Sequence, residues 1–138
     1  MEAQQSSQGQ VLVIDDDQAI RESIRTGLSA GTYHFKVETA HDAESGFAAA
    51  RRNKPDVIIL DLNMPLVNGF TFMDRLRADG ELRGIRVLML TANASTANEW
   101  ESIDRDVDDF LGKPFDLEEL EIRVKSLMNK TEGTSRRI

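Results

Sequence analysis

The chain has 138 residues, with 17 Lys and Arg against 24 Asp and Glu, giving a formal charge of −7. That acid surplus disfavours generic contact with phosphate backbones or anionic lipid and points instead to metal ions or basic protein surfaces. Cysteine is absent, which excludes disulfide scaffolds, thiolate nucleophiles and Cys-based zinc sites, and the length with 40% apolar residues suits one core rather than a catalytic domain joined to an output domain.

Residues 1–9 carry neither a basic start nor an apolar run and read as a disordered segment. No apolar stretch in the chain approaches the roughly 18 residues of a membrane span, so a cytoplasmic chain without membrane contact is expected. Val11-Leu12-Val13-Ile14 is the first of three runs of apolar, mostly branched residues without polar alternation, the pattern of a strand buried on both faces of a parallel sheet. After Asp15-Asp16-Asp17, the spacing of Ile20, Ile24 and Leu28 predicts a helix whose acidic start suits its dipole.

His34 to Ala40, with Phe35 and Val37 alternating with polar neighbours, predicts an edge strand. Ala43, Phe47 and Ala50 mark a second helix that ends near Pro55. Val57-Ile58-Ile59-Leu60 is the second buried strand and runs into Asp61. Leu62-Asn63-Met64-Pro65 reads as a loop, and Asn68-Gly69 as its closure into a third helix marked by Phe72 or Met73 and Leu76. Val87-Leu88-Met89-Leu90 is the third buried strand and runs into Thr91. Ala97, Trp100 and Ile103 mark a fourth helix, Asp109-Phe110-Leu111 a short fifth strand, and Leu117, Leu120, Val124 and Leu127 a fifth helix. One domain over 10–130 follows, and 131–138 loses all periodicity, as a disordered tail or linker stub would.

This fivefold βα alternation predicts a doubly wound α/β fold with a parallel sheet and helices on both faces. In such a sheet the strand ends that carry Asp15, Asp16, Asp61 and Thr91 share one edge, where open α/β folds bind ligands. Carboxylates crowded at that edge repel one another, which raises at least one pKa or demands a cation. Magnesium, which prefers hard oxygen ligands and keeps positions open for a phosphoryl oxygen, is the natural one. An Asp beside it can serve as a nucleophile toward phosphorus. Lys113, directly after the fifth strand, reaches the same edge as a counter-cation, and Pro114 is a candidate for a cis bond that aims it inward. Asp17 reads as a helix cap. His34 and His41 have no partner at ligand spacing and read as structural or exposed.

The segments VLVIDDD (11–17), IILDLNMPLVNG (58–69), MLTA (89–92) and DDFLGKPF (108–115) together resemble the receiver domains of two-component response regulators. The resemblance covers about residues 9–130. It implies a flavodoxin-like sheet of order 2-1-3-4-5 and a signalling switch rather than an enzyme, one that assists only its own phosphorylation and dephosphorylation. Asp61 would be the phosphoacceptor, served by a sensor histidine kinase or phosphotransfer protein. Mg2+ would be held by Asp16 and Asp61 directly, by Asp15 mainly through water, and by the backbone carbonyl of Asn63. Thr91, Ala92 and Lys113 would meet the phosphoryl group, and movement of Thr91 would let Phe110 turn inward, changing the surface around the fourth helix, fifth strand and fifth helix. Asn63 and Asn93 take positions that tune self-dephosphorylation.

Asp106-Val107 stands where the family has Gly-Ala. Glu99, where DNA-binding members carry a basic residue, would face Glu119 across their usual dimer, although Asp109 and Arg123 could form that dimer's other pair. A monomer or weak phosphorylation-dependent dimer without direct nucleic-acid contact is therefore expected. Two other readings are an Asp-nucleophile phosphatase, which would need an acid where Asn63 stands, and a phosphate-independent binding module. The output partner is left open.

Overall fold

A computed structural model describes residues 8–64, 68–92 and 107–129. The predicted fourth helix, Pro65, Asn93, Glu99, Asp106 and the two terminal segments 1–7 and 130–138 lie outside them. The strands are β1 (Gln10–Ile14), β2 (Lys36–Ala40), β3 (Val57–Asp61), β4 (Arg86–Thr91) and β5 (Asp109–Gly112), and the described helices are α1 (Gln18–Ala30), α2 (Ala43–Asn53), α3 (Gly69–Ala78) and α4 (Leu117–Asn129). All strand pairs are parallel, in the order β2-β1-β3-β4-β5. No described helix is long and apolar enough to cross a membrane.

Alternation along the central strands divides the core into two layers. Leu12, Ile14, Ile58, Leu60, Val87 and Met89 pack with Phe47 of α2 and Phe72, Met73 and Leu76 of α3. Val11, Val13, Val57, Ile59, Leu88 and Leu90 pack with Ile24 and Leu28 of α1 and Leu120, Val124 and Leu127 of α4. Covering both faces leaves β1, β3 and β4 almost wholly buried, which explains why they read as unbroken apolar runs.

Three of the described helices are started by a side chain that accepts from otherwise unpaired N–H groups. Asp17 accepts from Ala19 and Ile20 at α1, Asp42 forms a capping box with Ser45 at α2, and Asn68 accepts from Thr71 at α3. Gly69 is required by close approach, because a Cβ there would lie 3.0 Å from Leu62 Cα. That packing seats α3 directly on the loop leaving β3.

The edge strand is shorter than its sequence suggests. His34 takes a left-handed backbone (φ 52), so β2 begins only at Lys36, and the burial of Phe35 belongs to the turn before it. At the opposite edge, Arg77 donates to the carbonyls of Arg83 and Ile85 and pairs with Asp108 (3.3 Å), while Asp108 accepts from Val87 N (2.8 Å). This nearly buried pair ties the end of α3 to the start of β5.

Candidate metal and phosphoryl site

The ends of β1 and β3 bring three carboxylates together. One oxygen from each of Asp15, Asp16 and Asp61 lies within 4.8 Å of the others. Asp15 is fully buried and Asp61 is 3% exposed, whereas Asp16 faces solvent. A trio of hard oxygen donors at this spacing fits a divalent cation such as magnesium, with the exposed side left for water or a phosphoryl oxygen.

Local backbone bonds fix the two buried acids. Asp15 Oδ1 accepts from Asp17 N (2.9 Å), Asp15 N donates to the Ala40 carbonyl (3.1 Å), and the Asp15 carbonyl accepts from Arg21 Nη1 (2.8 Å). Asp61 Oδ1 accepts from Asn63 N (3.0 Å). Arg21 is the member of this edge that the sequence does not announce. It falls beside the Ile20, Ile24, Leu28 stripe, where a basic residue reads as a solvated helix face.

Lys113 supplies the cation from β5. Its Nζ stands 3.3 Å from Asp15 Oδ2 and 3.4 Å from Asp61 Oδ1, so one ammonium serves two carboxylates. The Lys113 N–H donates to the Thr91 carbonyl (2.8 Å), and the Lys113–Pro114 bond is cis. Burial pushes the Asp15 carboxyl above its ordinary pKa; its bond from Asp17 N opposes this, the charge of Asp61 adds to it, and Lys113 offsets part of it.

Thr91 ends β4 fully buried, and Ala92 after it is exposed. Phe110 pairs in register with Met89, two positions before the Thr91–Gly112 pair, and packs half-buried against the α2/α3 layer of the core. Arg123 reaches Asp109 of its own chain with Nη1 bonds of 2.9 and 3.0 Å and also pairs with Glu119. The charges expected to meet across a dimer are thus joined within one chain. His34 and His41 are exposed and take no part in the site.

The model of the response regulator receiver domain family matches residues 11–125. The DNA-binding dual master transcriptional regulator RpaA of Synechocystis sp. is 42% identical over 122 residues, which is 88% of this chain and 50% of that protein. The response regulator MprA of Mycobacterium avium is 39% identical over 121 residues, 88% of this chain and 51% of that one. The chain spans about half the length of the curated relatives it matches. Among solved structures, the chemotaxis response regulator CheY4 of Vibrio cholerae superposes with a TM-score of 0.79 at 31% identity, covering 88% of this chain and 99% of its own.

Proposed function

Because the chain belongs to the response regulator receiver domain family of two-component systems, we propose that it switches by magnesium-dependent phosphorylation of Asp61. The observation that carries this reading is the convergence of Asp15, Asp16 and Asp61 within 4.8 Å, with the Lys113 ammonium against the two buried acids.

Asp61 is the nucleophile. A carboxylate oxygen attacks phosphorus, the bond from phosphorus to the donor breaks, and the leaving group departs with its electron pair. That group is acetate from acetyl phosphate, or an imidazole from the phosphohistidine of a sensor kinase or phosphotransfer protein. Asp16 and Asp61 would hold magnesium directly, the Asn63 carbonyl would add a ligand, and Asp15 would act mainly through water. Bound magnesium supplies positive charge at the phosphoryl oxygens. Lys113 meets the same oxygens from the protein side, the Thr91 hydroxyl donates to one of them, and the small Ala92 leaves room for their approach.

The product places about −1.5 to −2 charge beside Thr91 and Lys113. Their movement toward it, with Phe110 turning inward, is the switch, and the altered surface is that of β5, α4 and the segment before β5. The domain assists only its own phosphorylation and hydrolysis. With a charge of −7 it is itself a poor partner for a phosphate backbone, so direct contact with DNA is not part of this reading, and the output partner stays open.

Incubation with acetyl phosphate and magnesium, read by intact mass, tests the site. Wild type gains one phosphoryl group and Asp61→Asn gains none; equal labelling of the two overturns the assignment.

A further inference from the structure

We propose that Arg21 is a positioning residue for the magnesium site, acting through the backbone carbonyl of Asp15; this rests on the reading of Asp15, Asp16 and Asp61 as that site. Asp15 lies one residue beyond the last β1 pair with β3, Val11 to Ile14 being the paired positions. Its carbonyl therefore leaves the sheet ladder at the point where the chain turns into α1. Arg21 Nη1 donates to it at 2.8 Å from the first turns of that helix.

The bond closes a small frame. Asp15 N is held by Ala40 O across the sheet, Asp15 Oδ1 by Asp17 N along the turn, and Asp15 O by Arg21 from the helix. A peptide fixed in this way cannot rotate, so the two carboxylates that flank it in sequence, Asp15 and Asp16, keep their spacing to Asp61. Without Arg21, the carbonyl turns to find another donor and carries both side chains with it. Groups that orient metal ligands in this way usually set affinity by about ten- to a hundredfold.

The test titrates magnesium in the intact chain with two readouts, thermal stability and the rate of labelling by acetyl phosphate. For Arg21→Ala, the magnesium concentration giving half the stability gain rises about tenfold, the half-saturating concentration for labelling rises with it, and the rate at saturating magnesium stays within about twofold of wild type. Arg21→Lys, which keeps a donor and the charge, recovers part of the shift. A merely structural role would lower stability at every magnesium concentration without moving either half-saturation point. Unchanged half-saturation in Arg21→Ala, with wild type still binding magnesium and labelling, overturns the role of Arg21 alone. Failure of wild type to respond to magnesium or to label overturns the reading of the site beneath it.

Discussion

Asp16→Asn should make the chain more stable when magnesium is chelated and should remove most of the stability that magnesium confers. Asp16 lies within 4.8 Å of both Asp15 and Asp61. At that distance two like charges repel by about 1 kcal/mol in water and about 3.5 kcal/mol at an effective dielectric of 20. Asp16 faces solvent, so the lower figure applies, and relief of two such pairs is about 2 kcal/mol. Screening over the roughly 8 Å Debye length of physiological salt reduces that to about half. The net gain of roughly 1 kcal/mol corresponds to about 3–5 °C in melting temperature for a chain of this size. In wild type, magnesium at a hundredfold excess over its dissociation constant adds about 2.7 kcal/mol, and the variant should lose most of that increment. Far-UV circular dichroism melts with chelator or with magnesium measure both quantities. A variant that melts below wild type in chelator yet gains as much from magnesium would refute the charge-cluster argument.

Two further predictions concern parts of the fold away from the cluster. Asp108→Ala removes one partner of the nearly buried pair with Arg77 and the acceptor for Val87 N; it should cost about 3 kcal/mol, read as a lower urea midpoint with unchanged m. The side-chain and backbone bonds of Ser45 hold the Asp42 carboxyl below its ordinary pKa. The capping box therefore contributes stability above the unfolded pKa that is lost as pH falls through the lower folded value. Unfolding of Ser45→Ala followed from about pH 5 downward should show a shallower acid limb than wild type below about pH 4, and an identical limb would assign that acid sensitivity elsewhere.

Much of this architecture is legible in the chain because burial on two faces leaves a local signature. Val11 to Ile14, Val57 to Leu60 and Val87 to Leu90 each have apolar neighbours above and below, so every position in them is apolar. The edge strand has no such double constraint. Phe35 is as buried as a core residue, yet the left-handed backbone at His34 places it in a turn, which alternation alone cannot distinguish from a strand. The candidate site is legible where its residues follow strand ends, as Asp15, Asp61 and Thr91 do. It is not legible where the partner is fixed by packing between distant segments. Lys113 itself is announced by its place after the fifth strand, but that its ammonium serves Asp15 as well as Asp61 depends on β5 lying beside β4 with its end at the same height. Arg123 meets Asp109 across the β5–α4 connection, and nothing in either residue's neighbourhood says that the pair forms within one chain. Arg86 opens β4 as a buried charge, although its sequence context is that of an exposed strand start.

The sharing of Lys113 constrains how a phosphoryl group on Asp61 would be felt at a distance. The Lys113 backbone is tied to the Thr91 carbonyl, and β5 is registered on β4 from Leu88–Asp109 to Thr91–Gly112. At its start, Asp108 is held by Arg77 and by Val87 N. A strand pinned at both ends cannot slide, so the added charge must act through side chains. The ammonium, paired with both buried acids, would be the first to respond. On the proposed reading it would leave Asp15 for the phosphoryl oxygens, and Asp15, with Asp16 and Asp61, would then rely more on a cation bound by the three carboxylates. On the same reading Thr91 would follow, and its displacement would open space on the sheet edge two register positions from Phe110. Phe110 is only half-buried against the core layer of α2 and α3, so inward rotation gains apolar burial at about 25 cal/mol per Å², and the metal-stabilised charge and the buried ring would reinforce one another.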